Sequence, residues 1–405
     1  MNNIFINKIA EEAGKTFKET GYPSLKDENW RFTDISNILC QQFNQSKKVT
    51  LKKKIASKYF IENCYHIVAV NGYLDLSISD NFPENFEVMT IIDSVIDVRN
   101  QFSKISNYKT KSFNAINTSM FKEGILLSFP SGLVLDKPIQ LINIFLDNQK
   151  KQVHYPRLLI LANNDTQFSF INHYVFEGNQ EHLVNSVVEM EILNNCFIDY
   201  CVIQHGNNKS NIIESTAVNQ LSNSKLNYNT FTLNSNFSRN DIEINLNNIL
   251  SKINLNGLYL CNNSMVVDYH TTINHKAENC VSNEKFQGIL MDKSKGIFNG
   301  LINVSPNAIN TDANQKNQNL LLSETTSINS NPQLEIFCDD VSCTHGSTTG
   351  YLDDEMIFYL RSRGINKDQA KQILIHGFAM EIVNNINHKK VKEYLSEYIN
   401  HWILS

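Results

Sequence analysis

A mainly β chain is predicted, a stack of short strands standing between a mixed front domain and a helical tail. Three observations predict it. Between about residues 115 and 340, short alternating runs recur, such as Val188–Ile192, Asp241–Leu246, Ile253–Leu255 and Phe298–Ile302, separated by Asn, Ser, Gly or Asp. Such runs are the pattern of half-buried strands. No helical period longer than two turns crosses that span, whereas residues 352–404 take up helical spacing. The stack folds either as a sandwich or as a solenoid whose corner Asn residues adopt the left-handed conformation and stack on one another. A solenoid suits so long a helix-free span better, although no fixed-period repeat is visible. The expected boundaries are 1–110 for the mixed α/β front domain, 111–348 for the strand stack and 349–405 for the helical tail.

The bulk composition narrows the function classes. With 405 residues, 41% apolar and 19% charged, the chain can bury a sizeable core. A net charge of -5 leaves no basic footprint, so nucleic acid is not an expected partner. The amino terminus lacks a charged stretch followed by an apolar one, and no run of 18 apolar residues exists, so neither secretion nor membrane insertion is expected. The eight cysteines are scattered without a C-x-x-C pair, which reads as reduced thiols and a cytoplasmic location.

Residues 4–19 form the first helix, because Ile6, Ile9, Ala10, Ala13 and Phe17 follow helical spacing. Gly14-Lys15-Thr16 inside it imitates the end of a phosphate-binding loop, but position 9 is Ile and no strand precedes it, so the motif is rejected. Glu28–Ile35, ENWRFTDI, sets a Trp beside an Arg and a Phe and reads as a packing anchor. Residues 51–100 mix short helical and strand patterns. In the tail, Gly364 closes one helix and Asn366 with Gln369 opens the next. Two apolar stripes follow, one from Ile375 to Ile386 and one from Val391 to Trp402. Packed on each other they leave apolar surface over, which makes a docking face.

The chemistry concentrates in Pro332–Gly350, PQLEIFCDDVSCTHGSTTG. Leu334, Ile336 and Cys338 share one alternating phase, and Val341, Cys343 and His345 share the opposite one, so the chain bends at Asp339-Asp340. Cys343 and His345 then point the same way, a soft and a borderline ligand side by side. Gly346 and Gly350 are expected to release the backbone before the tail. A free thiol near pKa 8.5 needs a metal or a cation to ionise it, whereas a neutral His is ready to coordinate. Two ligands make half of a metal site, since iron–sulfur centres usually take four. His270 and His275 are five apart, on opposite faces of a strand, and make a weak metal pair. No nucleophile-elbow or dinucleotide-binding glycine pattern appears.

Three runs carry a resemblance. DYHTTINHKAENCVSNEKFQGIL from Asp268, then GIFNGLINVSPNAINTDANQKNQNLLLS, then PQLEIFCDDVSCTHGSTTGYLDDEMIFYLRSRGI closely resemble the SufB/SufD family of iron–sulfur cluster assembly proteins. ENWRFT and C-T-H-G at 343–346 resemble the SufD branch, since SufB-like chains carry a Glu-His-Glu type sequence at the latter. The resemblance implies a right-handed parallel β-helix (a single-stranded solenoid) with an N-terminal mixed domain and a C-terminal helical domain. It implies a non-catalytic scaffold that pairs with a SufB-like paralogue and binds the SufC-like ATPase through the helical tail, while the sequence leaves open whether the chain forms a homodimer when alone. Iron or an iron–sulfur cluster would be held transiently and shared with the paralogue, with His345 first and Cys343 second as ligands. Tyr359, Arg361 and Arg363 are the expected ATPase contacts. The competing readings are a SufB-type main scaffold, a polysaccharide-active β-helix enzyme and a purely structural β-helix.

Overall fold

The computed structural model describes residues 2–83 and 86–404. From Gln167 to Tyr351 the chain passes alternately between two sheets, and each strand pairs in parallel with the strand one coil earlier. This is the right-handed parallel β-helix, flattened so that two sheets, A and B, face each other across a continuous core. Sheet A ends on Ser327–Ile336 and sheet B on Val341–Tyr351.

The strands run for 9 to 12 residues, longer than the alternating runs suggested. Several Asn residues that look like separators in the sequence lie inside strands instead. Asn227, Asn254, Asn283 and Asn314 share one outward row on sheet B, and each donates its side-chain amide to the residue one coil below, ending on Asp199. A ladder of this kind satisfies amides within a strand that would otherwise compete with its backbone bonds.

Corners are made by single left-handed residues. Asp165, Asn195, Asn223, Leu250, Asn279 and Asn310 all have φ between 56° and 61°. Asn195 donates to Asp165, Asn223 to Asn195, and Asn310 to Asn279. Leu250 breaks this series, since a leucine pays a steric cost in this conformation and offers no amide. Leu250→Asn is therefore expected to raise the unfolding free energy by about 1 kcal/mol. Urea denaturation checks it, and an unchanged or lower midpoint would contradict the corner argument.

Inside, the core is apolar and aromatic, with Phe168, Phe170, Tyr200, Tyr228, Leu255, Phe286 and Phe298 in one cluster. Both outer faces are covered as well. The front segment covers sheet A. Its first helix runs from Asn2 to Thr20, with Gly14-Lys15-Thr16 well inside it, so no phosphate loop forms there. Strands Tyr65–Val70 and Glu87–Thr90, from the front segment, pair into sheets B and A. Two buried ion pairs pin the front segment down. Arg157 and Glu189, both fully buried, bond each other, and Glu189 also accepts from the backbone of Ser103 and Ser106. Arg239 lies under Trp30 of the ENWRFTDI element, its guanidinium 3.9 Å from the ring centre. It donates to Asp268, which also accepts from Thr33. The expected packing anchor is thus a cation–π and ion-pair lock.

The tail covers sheet B. Helices Lys367–Val383 and Lys389–Leu404 bury Ile375, Ala379, Ile382, Val391, Leu395 and Trp402 against Ile203, Phe231, Leu258, Leu260 and Ile289. Both apolar stripes are consumed, because sheet B's outer row is itself apolar. Gly364 takes φ 87° after helix Asp354–Ser362, and Asn366 caps the next helix through the backbone of Gln369.

Candidate functional site

The solenoid has one open end, formed by the last strand of each sheet. Ser327–Ile336 and Val341–Tyr351 each have a parallel partner on one side and, among the described residues, none on the other. Their outer backbone groups are thus an unpaired edge, the part of a sheet that most readily accepts another strand. Apolar side chains rim this end, with Ile336 40%, Phe337 63% and Tyr351 60% exposed.

Strand Val341–Tyr351 begins where the bend at Asp339-Asp340 was expected. It continues through Gly346 and Gly350, which stay in register with Lys316 and Leu320 and do not interrupt it. A Cβ at either glycine would meet nothing within 4 Å, so no local packing forces the chain to break there.

Cys343 pairs with Ala313 and His345 with Gln315. Ala313 and Gln315 are buried inside the solenoid, so Cys343 and His345 share the inward phase of the terminal coil. Cys343 is half-buried against the core, whereas His345 is exposed because no coil follows above it. Burial pushes the Cys343 thiol up, and the Asp312 charge adds to this. The thiol is therefore protonated at neutral pH and needs a bound cation to become a ligand. Cys338, just past the end of the preceding strand, also packs half-buried on the same core, near Cys343. Thr344, between the two candidate ligands, points outward and caps the amide ladder by donating to Asn314 at 2.6 Å.

Below His345 the interior turns polar. Glu284 pairs with Gln315, one coil down, and is 2% exposed. Burial pushes its carboxyl up to about 7. Gln315 donates to it at 2.7 Å. Farther along, Ser330 bonds both Asn317 and Ser347. Sequence reasoning missed Glu284 and Gln315, because only the register of the coils places them in one column with His345.

Among the described residues, no group of three or more His, Cys, Asp or Glu side chains is arranged to hold a metal ion. His275 lies inside the solenoid bonded to Ser282, and His270 lies on the outer side against Asp268, so these two histidines are held apart on opposite faces. Asp339 and Asp340 sit in the corner before the terminal strand. Outside the sheets, a groove of about 920 Å³ runs between sheet B and the Asn384–Asn387 turn and reaches Thr344–Thr348.

The first tail helix, Asp354–Ser362, is capped by Asp353. It buries Ile357 but leaves Met356 48%, Phe358 72% and Tyr359 51% exposed. Arg363 lies over the Tyr359 ring at 4.7 Å, and Arg361 is exposed. Met356, Phe358 and Tyr359 gather much of the leftover apolar surface of the tail on this helix, with Ile373 and Leu404 exposed elsewhere in it, and sequence spacing had not singled out Met356 and Phe358. No helix among the described residues is long and apolar enough to cross a membrane.

Comparison with known proteins gives a consistent picture. Residues 145–378 match the family described as SUF system FeS cluster assembly, SufBD core domain, and residues 2–141 match the SufBD protein N-terminal region. The iron-sulfur cluster assembly protein SufD of Escherichia coli (strain K12) is 28% identical over 379 residues, covering 92% of this chain and 88% of the relative. The SufBD family protein slr0076 of Synechocystis is 27% identical, covering 95% and 88%. Protein ABCI7, chloroplastic, of Arabidopsis thaliana is 22% identical, covering 98% and 86%.

Proposed function

The chain belongs to the SufBD family of the SUF iron–sulfur cluster assembly system, and from that premise we propose that it is a SufD-type scaffold which a SufB-like paralogue completes. One observation supports this reading: two inward-facing donors, Cys343 and His345, stand on an unpaired terminal strand, and among the described residues no third His, Cys, Asp or Glu completes a metal-holding group with them. A related strand stack docked end to end would cover the unpaired edges and the apolar rim, and would supply the remaining ligands. Iron, or the cluster being built, is the cargo of that joint site. His345 binds it as a neutral imidazole, and Cys343 joins once the metal displaces its proton. In the absence of the paralogue, two copies of this chain can cover each other's ends in the same way.

The chain itself carries out no chemistry in this reading. The driving energy comes from a SufC-like ATPase docked on helix Asp354–Ser362, where Met356, Phe358 and Tyr359 supply apolar anchors and Arg361 and Arg363 supply charge. The reduced thiols fit a cytoplasmic setting.

The test is co-purification of the full chain with a SufB-like and a SufC-like partner. Phe358→Asp is expected to weaken ATPase retention by tenfold or more, as an anchor residue does, while the paralogue stays bound. Undiminished ATPase capture would remove this helix from the interface. Failure of the wild-type chain to hold the paralogue would remove the scaffold reading itself.

A further inference from the structure

Glu284, Gln315 and His345 occupy one column on three successive strands of sheet B. In-register side chains on the same face of parallel strands stack about 4.8 Å apart. Gln315 is 3% exposed, and its Nε2 donates to Glu284 Oε2 at 2.7 Å. Gly300, opposite on sheet A, makes room for this arrangement, since a Cβ there would lie 2.3 Å from Gln315 Nε2. An ionised carboxylate can only accept, so it selects the NH₂ end of the amide and turns the carbonyl end away. That carbonyl oxygen, Gln315 Oε1, is buried and has no hydrogen-bond partner. A buried acceptor without a donor costs about 1–3 kcal/mol. Directly above it stands His345, whose exposed imidazole is free to turn.

We propose that Gln315 and Glu284 are positioning residues for His345. Gln315 Oε1 accepts the ring N–H of the neutral imidazole, and Glu284 holds the amide in the orientation that presents this oxygen. One imidazole nitrogen is thereby fixed as the proton carrier, and the lone pair of the other faces out of the solenoid toward the cargo. Ligating histidines are commonly held through their second nitrogen in this way, and loss of the outer partner weakens metal binding by about 10–100-fold. The consequence for iron rests on the ligand reading of His345, but the hydrogen bond does not.

The experiment uses the full chain, metal-free, with ¹⁵N-labelled histidine at pH 8, above the value of about 7 to which burial pushes the Glu284 carboxyl. Signals of His345 are identified by their loss in His345→Ala. In the wild type one ring tautomer is expected to dominate, and Gln315→Leu is expected to return His345 to the tautomer mixture of a solvent-exposed imidazole. Glu284→Gln keeps the volume while removing the acceptor-only group. It is expected to shift the tautomers in the same direction and decides the matter if the leucine variant does not fold. Identical tautomer ratios in wild type and variants would overturn the proposal. Ferrous iron is then titrated into the assembled complex, where Gln315→Leu is expected to weaken binding by about 10–100-fold. If His345→Ala loses iron but Gln315→Leu changes neither tautomer nor affinity, only the positioning role fails. If His345→Ala keeps its iron while the tautomers shift as expected, the ligand reading fails and the hydrogen bond stands.

Discussion

Alanine in place of Asp268 is expected to lower the unfolding free energy by about 3–5 kcal/mol, the cost of breaking a buried ion pair by removing one partner. Asp268 is fully buried and accepts from Thr33 Oγ1 at 2.5 Å and from Arg239 Nη1 at 2.6 Å, with His270 Nε2 at 3.1 Å. Burial works to raise its carboxyl pKa, but the charges of Arg239 and His270 outweigh it and bring it down to about 2. A depressed folded pKa means that this stabilisation is complete above the unfolded carboxyl range near 3.9 and is lost as pH falls toward 2. Removing the carboxylate leaves Arg239, 1% exposed, with Asp241 alone, and leaves Thr33 without its acceptor. The front segment should then loosen before the strand stack does. Urea denaturation gives the magnitude, and limited proteolysis should cut first between Gly21 and Ile35. A loss under about 1 kcal/mol would show that the ENWRFTDI lock is not what fastens the front segment.

This lock shows where the sequence can and cannot be read. The helix ends were legible, because Gly364 and Asn366 each have one local job that their residue type performs well. The shared face of Cys343 and His345 was legible too, since residues two apart on a strand point the same way. The coil repeat was not. On sheet B, Phe197 pairs with Gln167, Lys225 with Phe197, Lys252 with Lys225, Val281 with Lys252, Asp312 with Val281 and Val341 with Thr311. Those separations are 30, 28, 27, 29, 31 and 30 residues, so corner length varies and no fixed period survives.

Alternation also misleads in this fold. Arg157, Glu189 and Arg239 stand in the outward phase of their strands, where a charged residue reads as solvated. The front segment covers that face, and all three are buried. On the other side, Phe231 and Leu258 are outward-facing yet buried by the tail. Gln315 is one of several amides in DANQKNQN. Nothing local marks it out, and only the coil below and the coil above make it the neighbour of Glu284 and His345.

The second large effect concerns cargo. His345→Ala truncates an exposed side chain at the open end of the solenoid, so the solenoid should still fold and assemble. What it removes is the imidazole donor of the proposed half site. Its loss should exceed the ~10–100-fold weakening expected from disturbing an outer partner alone. Cys343→Ser should weaken iron retention less, because the thiol must first give up a proton that burial and Asp312 hold in place. The decisive measurement is anaerobic iron and acid-labile sulfide in the co-purified complex, wild type against His345→Ala, at matched subunit ratio. An intact complex that has lost most of its iron is the expected result, and an intact complex with its full complement of iron would contradict the half-site account.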